Sequence, residues 1–451
     1  MSALLDGLRA DGLSREGTQR YASLLLTAHA ACDLRGLPRA GRVELVVPGR
    51  VELVGKHVDY AGGRSLVCPV DRGVVAVAAP HDEPSVVVLD IVRDEQVTTP
   101  LAHLRLARAM PRPAWRVYVD AVVQRMAMNF GPLTRGVVIT LGSSLPPDAG
   151  LSSSSAFTIT IALAVAAIND LQDDPRWAAL VADPLRLAGY CSALESGFDF
   201  GDLRGGHGVG TMSGTQDQCA ILGGAVGHVD QFAYRPERHE ARIAWPAEWA
   251  LLVATSGVVA SKSGAEQQRY NRAVRLTTRL LECWNQPGRA AETLRDVVSA
   301  GADFEALAAR AATDEFDEAT LRARLAQFDQ ECRIVVPQVL RGIELCDVVR
   351  VTRGVAHSVA GAVWALENQV PETLALTQLA VSAGAWCASP FGAGFGGSVW
   401  ALVPDESAEQ VASRWIADYR DTGLEAARRA EVFVTQPSPG ARWASAESSL
   451  S

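Results

Sequence analysis

Lysine is nearly missing from this 451-residue chain: only Lys56 and Lys262 stand beside 40 arginines. Codon bias toward arginine is the plain reading of the imbalance. A lysine that survives it keeps a compact ammonium that a planar guanidinium does not mimic. Positive charge is also in short supply. Lys and Arg number 42 against 51 acidic residues, a net charge of −9. That gives no support to general nucleic-acid binding, and an anionic ligand would need a locally positive site. The eight cysteines are scattered without a CxxC pair, which argues against a zinc site and reads as buried thiols in a reducing cytosol. No run of about 18 apolar residues occurs, so no membrane span is expected. The first residues, MSALLDGLRADGLSREGTQR, lack a signal-peptide core. No GxxxxGK[ST] exists, because Gly55-Lys56 is followed by His57; a P-loop is excluded.

What remains is ordinary globular material, with 48% hydrophobic residues and room for two to four domains of roughly 100–200 residues each. The pattern predicts a helix over 5–34, then two strands within 43–54 separated by a turn at Pro48-Gly49. Further β-rich runs fall at 66–90 and 136–142, and a continuous apolar helix at 151–168. The glycine-rich segment 197–213 reads as a loop insertion. A strand at 249–258 leads to a helix near 264–285, and Arg- and Ala-rich helices run to about 387. A strand at 398–403, a helix near 406–420 and a strand at 430–435 suit a split βαβ ending. From 436 the Pro/Ser/Ala-rich tail is expected to be disordered.

Three clusters carry chemistry. In the first, Pro147-Asp148-Ala149-Gly150-Leu151-Ser152-Ser153-Ser154-Ser155-Ala156, serines open an apolar helix. Unpaired amides at a helix start attract phosphate, although the same residues also suit a plain polar cap. The second, Gly392-Ala393-Gly394-Phe395-Gly396-Gly397, permits close approach by a ligand or another backbone, or forms a flexible hairpin. The third, from Pro48 to Gly63, packs Arg50, Glu52, Lys56, His57, Asp59 and Tyr60 at the end of an apolar strand. Such convergence suits hydroxyl recognition; isolated charges there would form only surface ion pairs.

Together these clusters resemble the GHMP kinases, and galactokinase most closely. PGRVELVGKHVDYAGG is similar to the galactokinase signature, PDAGLSSSSA to the family phosphate loop and SPFGAGFGGSVWALV to its third motif. Gly214-Thr215-Gln216-Asp217-Gln218 resembles the catalytic segment, and Arg269-Tyr270-Asn271 a sugar-contacting one. The resemblance implies an α+β fold of two domains. Residues 1–232 would form a ribosomal-S5-like domain with a left-handed crossover, and 233–451 a ferredoxin-like domain. It implies ATP-dependent phosphorylation of the C1 hydroxyl of a galactose-type sugar, with Asp217 as general base and Arg50 beside it. Glu52, Lys56, His57, Asp59, Tyr60, Gly214, Lys262 and Tyr270 would bind the sugar. Gly150, Leu151, Ser152, Ser153, Ser154, Ser155 and Ala156 would hold the nucleotide phosphates, with Trp115 near the adenine. Gly392, Gly394, Gly396 and Gly397 would form the third motif, and Ser154 and Glu195 would hold Mg2+. The expected protein is cytoplasmic, a monomer or homodimer, with no nucleic-acid or membrane partner.

Departures from the family pattern bear on the substrate. Where galactokinases place Asn, Glu and Thr, this chain has Glu52, Lys56 and Val58. Lysine only donates hydrogen bonds, so Lys56 suits a sugar with an acidic group at C6, such as a uronate. Pairing of Lys56 with Glu52 would instead leave the pocket open to galactose. Asp148 replaces a glycine and would repel a triphosphate. A catalytically silent sugar sensor, or a kinase of another small alcohol such as mevalonate, are the alternative functions.

Overall fold

The computed structural model describes residues 2–101, 115–147, 149–258 and 265–443, apart from the side chains of 2–4, 265–267 and 270. Its strands are β1 (Val43–Val54), β2 (Arg64–His81), β3 (Ser85–Asp90), β4 (Glu95–Pro100), β5 (Gly136–Ser143), β6 (His228–Ala233), β7 (Arg238–Ala244), β8 (Trp249–Thr255), β9 (Cys387–Phe391), β10 (Ser398–Pro404), β11 (Val432–Thr435) and β12 (Arg442–Trp443). Its helices are α1 (Ser2–Ala10), α2 (Arg15–Leu34), α3 (Arg116–Phe130), α4 (Ser153–Ile168), α5 (Pro175–Val181), α6 (Pro184–Ser196), α7 (Gln216–Gly223), α8 (Ala265–Trp284), α9 (Leu294–Ser299), α10 (Phe304–Ala311), α11 (Glu318–Gln330), α12 (Val336–Glu344), α13 (Val348–Trp364), α14 (Pro371–Ala383) and α15 (Ala408–Arg420).

Two sheets organise these elements. The first runs β12-β1-β2-β5-β3-β4, with the β6–β7 hairpin attached to β2. Alternation along its strands serves two faces. Leu45 and Val47 point into the large core under α4, whereas Val46 joins Tyr21 and Leu25 of α2. The second sheet is antiparallel, in the order β11-β8-β10-β9, which is the split βαβ arrangement expected of the ending. Leu252, Val399 and Ala401 face Leu376 and Trp415 of α14 and α15. Leu251, Val253 and Trp400 join the large core of the first sheet. One apolar interior thus spans both sheets. Helices α8–α11 add a satellite core that takes in Val58, Tyr60 and Ala61 from the loop after β1.

Four expectations need correction. The helix expected at 5–34 is two helices, because Gly12 adopts φ +86° and the Ser14 hydroxyl caps α2 by accepting from the Gly17 amide. Residues 43–54 form one strand rather than two. Its ladder shifts register between Pro48 and Arg50, so the proline without an amide hydrogen sits at a bulge. The expected boundary at 232/233 cuts β6. The first sheet continues through β7 to Ala244. Residues 436–443, expected to be disordered, carry β12, which pairs with β1. Their amides are also engaged: Ser438 donates to the Pro69 carbonyl (3.0 Å) and Ala441 to that of Ile221 (2.7 Å). Composition alone cannot foresee such long-range partners. Residues 444–451 lie outside the described residues.

Candidate active site

Three loops meet where the two sheets join. The first is set by the bulge in β1, where the Arg50 amide donates to the Leu151 carbonyl at 3.2 Å. Gly49 is obligatory there, since a Cβ would lie 2.6 Å from the Leu151 carbonyl oxygen. The bulge aims the Arg50 side chain across the gap. Its Nη1 donates to the Gly150 carbonyl (2.6 Å), while Nε and Nη2 donate to Asp217 Oδ1 (2.9 and 2.7 Å). Arg50 is buried and Asp217 half-buried at the start of α7. The carboxylate expected to act as base therefore faces the serine-lined turn.

That turn is shaped for an anion. Ser152 is the N-cap of the 16-residue helix α4, in the left-handed region at φ 60°, and makes no side-chain cap bond. Its buried hydroxyl has no partner among the described residues. First-turn amides of a helix have no intrahelical acceptor and carry the positive end of its dipole. Behind them, Gln218 Nε2 donates to Ser155 Oγ (3.2 Å) and to Glu195 Oε1 (2.9 Å). Glu195 is thereby held beside the first turn of α4. Among the described residues no cluster of three or more His, Cys, Asp or Glu could hold a metal ion, so oxygen donors here would come from Glu195 and serine. Trp115 stacks edge-on against Phe157 of α4, with ring centres 5.6 Å apart, and its indole donates to Glu95 (2.6 Å). Asp148 and Lys262 lie outside the described residues, as does the Tyr270 side chain.

The third motif closes over this turn. Ser398 Oγ donates to the Ala149 carbonyl (2.6 Å), and a Cβ on Gly392 would lie 3.0 Å from the Gly150 carbonyl oxygen. Gly394 leaves no room for a side chain against Asn368. Gly396 and Gly397 both adopt positive φ, Gly397 against the Ala149 carbonyl. His57 ties this loop to the sugar motif: its Nε2 lies 3.2 Å from the Ala393 carbonyl and 3.1 Å from Asn368 Nδ2. Burial pushes the His57 imidazole down to about 4, so it is neutral at working pH. Ser152, His57 and Phe395, one from each motif loop, are non-glycine residues with left-handed backbones. Strain of about 1–3 kcal/mol per residue gathers where surrounding contacts over-determine a loop.

The sugar motif divides in two. Asp59 stays at the cleft, accepting from the Gln216 amide at 3.4 Å. A Cβ on Gly214 would sit 2.4 Å from its Cγ. Burial, and next the neighbouring Asp217 charge, push the Asp59 carboxyl up to about 6. The other members turn inward. Tyr60 packs in the satellite core, and the Arg324 guanidinium lies 5.7 Å above its ring. Glu52 and Lys56 are buried against each other, Nζ to Oε1 3.5 Å. Lys56 Nζ also donates to the Pro390 carbonyl (2.6 Å), and Gln216 Nε2 donates to Glu52 Oε2 (2.5 Å). A buried charge must be paired and hydrogen-bonded to persist, and this arrangement satisfies both. Glu331 was not foreseen at all. It lies on a π-helical turn (Glu331–Val335) between α11 and α12 and accepts from the Gly55 amide (2.7 Å), the Lys56 amide (3.3 Å) and Ser358 Oγ (2.6 Å). Arg324, fully buried, donates to the His57 carbonyl (2.6 Å). Neither residue lies in a motif. Gln216 and Gln218 flank Asp217 and could have been suspected from that adjacency.

A serine-opened helix beside an arginine–carboxylate pair, on this α+β fold, resembles the small-molecule kinases of the GHMP type. Residues 117–199 match the GHMP kinases N terminal domain. Residues 41–80 match the galactokinase galactose-binding signature. The chain is 27% identical to the galactokinase of Streptomyces coelicolor over 404 residues, covering 88% of this chain and 92% of that one. It is equally similar, at 27% over 396 residues, to the galactokinase of a Roseiflexus species, covering 87% and 90%. In fold it matches Lactococcus lactis galactokinase complexed with galactose at a TM-score of 0.73, with 19% identity over 92% of this chain and 98% of that one. It matches the mevalonate kinase of L. major less well, at 0.53 and 15% over 89% and 98%.

Proposed function

We propose that this protein is an ATP-dependent sugar kinase that phosphorylates the anomeric hydroxyl of a galactose-type sugar. The observation that carries the reading is Arg50, which bridges Asp217 and the Gly150 carbonyl. One guanidinium thereby places a proton acceptor beside a phosphate-binding turn. Asp217 takes the proton from the attacking hydroxyl. Arg50 fixes the direction of that carboxylate and offsets negative charge developing between acceptor and phosphate. Most of the catalysis of such a transfer is positioning and electrostatics.

The residues present suit a nucleoside triphosphate and a magnesium ion. The left-handed Ser152 with its unpartnered buried hydroxyl, the first turn of α4 and Gly150 form the phosphate cradle. Ser154 and Glu195 would hold the metal, which would neutralise charge on the phosphate oxygens. Trp115 walls the adenine side. Asp59 accepts hydrogen bonds from sugar hydroxyls, and His57 shapes the loop rather than carrying charge. The Lys56 ammonium is drawn back onto Glu52 and the Pro390 carbonyl, which supports a neutral sugar over one acidic at C6.

ADP release measured across galactose, galacturonate, glucose and mevalonate tests the reading. Turnover with galactose exceeding that with galacturonate at least tenfold is expected. Preference for galacturonate would restore Lys56 as a reader of an acid. Binding of galactose without turnover would make the protein a sensor.

A further inference from the structure

We propose that Gln216, Glu52 and Lys56 are positioning residues for Asp217, acting as one buried chain that runs from the second sheet to the first turn of α7. The inference rests on the kinase reading for its kinetic test only. Helix α7 has just eight residues, and the hydroxyl of its N-cap residue Thr215 makes no cap bond but donates to Glu237 (2.9 Å). The Gln216 amide instead donates to Asp59 Oδ2 at 3.4 Å, a long contact that fixes the rotation of the turn only weakly. Gln216, the first helical residue, is buried and reaches Glu52 Oε2 at 2.5 Å. Glu52 Oε1 meets Lys56 Nζ, which ends on the Pro390 carbonyl of β9 at 2.6 Å.

The next residue along is Asp217, so the roll of this first turn decides whether its carboxylate meets Arg50. Arg50 is anchored on the Gly150 carbonyl and meets the carboxylate through Nε and Nη2, so the pair closes only if the turn presents Asp217 to it. The chain also explains why a lysine persists at 56. Its compact ammonium fits between a carboxylate and a strand carbonyl where a guanidinium plane would need more space. Because Pro390 belongs to the second sheet and α7 packs with the first, the chain ties the base to the relative placement of both.

Gln216→Leu keeps the volume and the burial but removes the donor. The expected result is a fall in kcat of at least tenfold, with KM for sugar and for ATP within twofold of the parent. Lys56→Met leaves Glu52 without its ammonium and also lowers kcat. Adding Glu52→Gln to it, which keeps an acceptor for Gln216, recovers kcat at least threefold over Lys56→Met alone. A role in stability alone would lower the unfolding midpoint without this split or this recovery. The crystal structure of Gln216→Leu reads the same geometry without turnover: loss of the 2.7 Å Arg50–Asp217 contact supports the proposal. A retained contact, or an unchanged kcat in an active parent, overturns it. If the parent is silent with every sugar, the kinase reading fails, and the crystal structure decides the positioning role by itself.

Discussion

Arg50 gives one guanidinium to two partners, and the chemistry follows from that sharing. Its position on a bulge, not merely its charge, makes it face both Gly150 and Asp217. Asp59 gives this scale its pH signature. A carboxyl pushed up to about 6 by burial and by Asp217 gains its proton as pH falls through that value. Only the ionised form offers all its oxygens to sugar hydroxyls. KM for sugar is therefore predicted to rise about fourfold between pH 7.5 and 5.5, the ratio of ionised fractions for such a group. Initial-rate kinetics at saturating ATP check it; a flat KM over that range would count against Asp59 as a sugar ligand. Arg50, Asp217 and Asp59 were legible as residues because their neighbours in sequence form recognisable strings. The inward turn of Tyr60, Glu52 and Lys56 was not, because a string does not show which of its side chains meet the core.

At the scale of elements, the loop after β1 is held from outside by the π-helical turn at Glu331–Val335. Its buried Glu331 carboxylate, which burial pushes up, accepts two successive amides and one hydroxyl. Glu331→Ala is predicted to orphan those donors, at about 1–3 kcal/mol for each buried group left unsatisfied, and to raise KM for sugar. Urea denaturation alongside kinetics checks both effects; unchanged stability would mean that water replaces the carboxylate freely. Strands and long helices were readable from apolar alternation and periodicity. The π-turn and its carboxylate were not, because the two loop amides they hold lie 275 or more positions away in the chain. The glycine-rich segment 197–213 is likewise pinned by remote partners. Arg125 of α3 donates to the Leu203 carbonyl (3.2 Å) and Asn271 of α8 to that of Gly210 (3.3 Å).

For the whole molecule, the chain returns to its first sheet at the end: β12 lies against β1, the strand that carries Arg50. Removing residues 437–451 is predicted to lower the unfolding midpoint by several degrees, through loss of the ladder and of the amide bonds from Ser438 and Ala441. An unaltered midpoint would contradict a structural role for the return. No described helix is long and apolar enough to cross a membrane. The two-domain plan was visible in the order of the motifs, but its boundary was not, since the β6–β7 hairpin rejoins a strand formed some 160 residues earlier. The most direct test of the central claim is kcat of Asp217→Asn, read together with sugar binding by calorimetry. The expected result is a fall of about 10²- to 10⁴-fold, the usual worth of a general base, with the sugar dissociation constant within a few-fold of the parent. A variant that binds sugar and still turns over within threefold of the parent would contradict it.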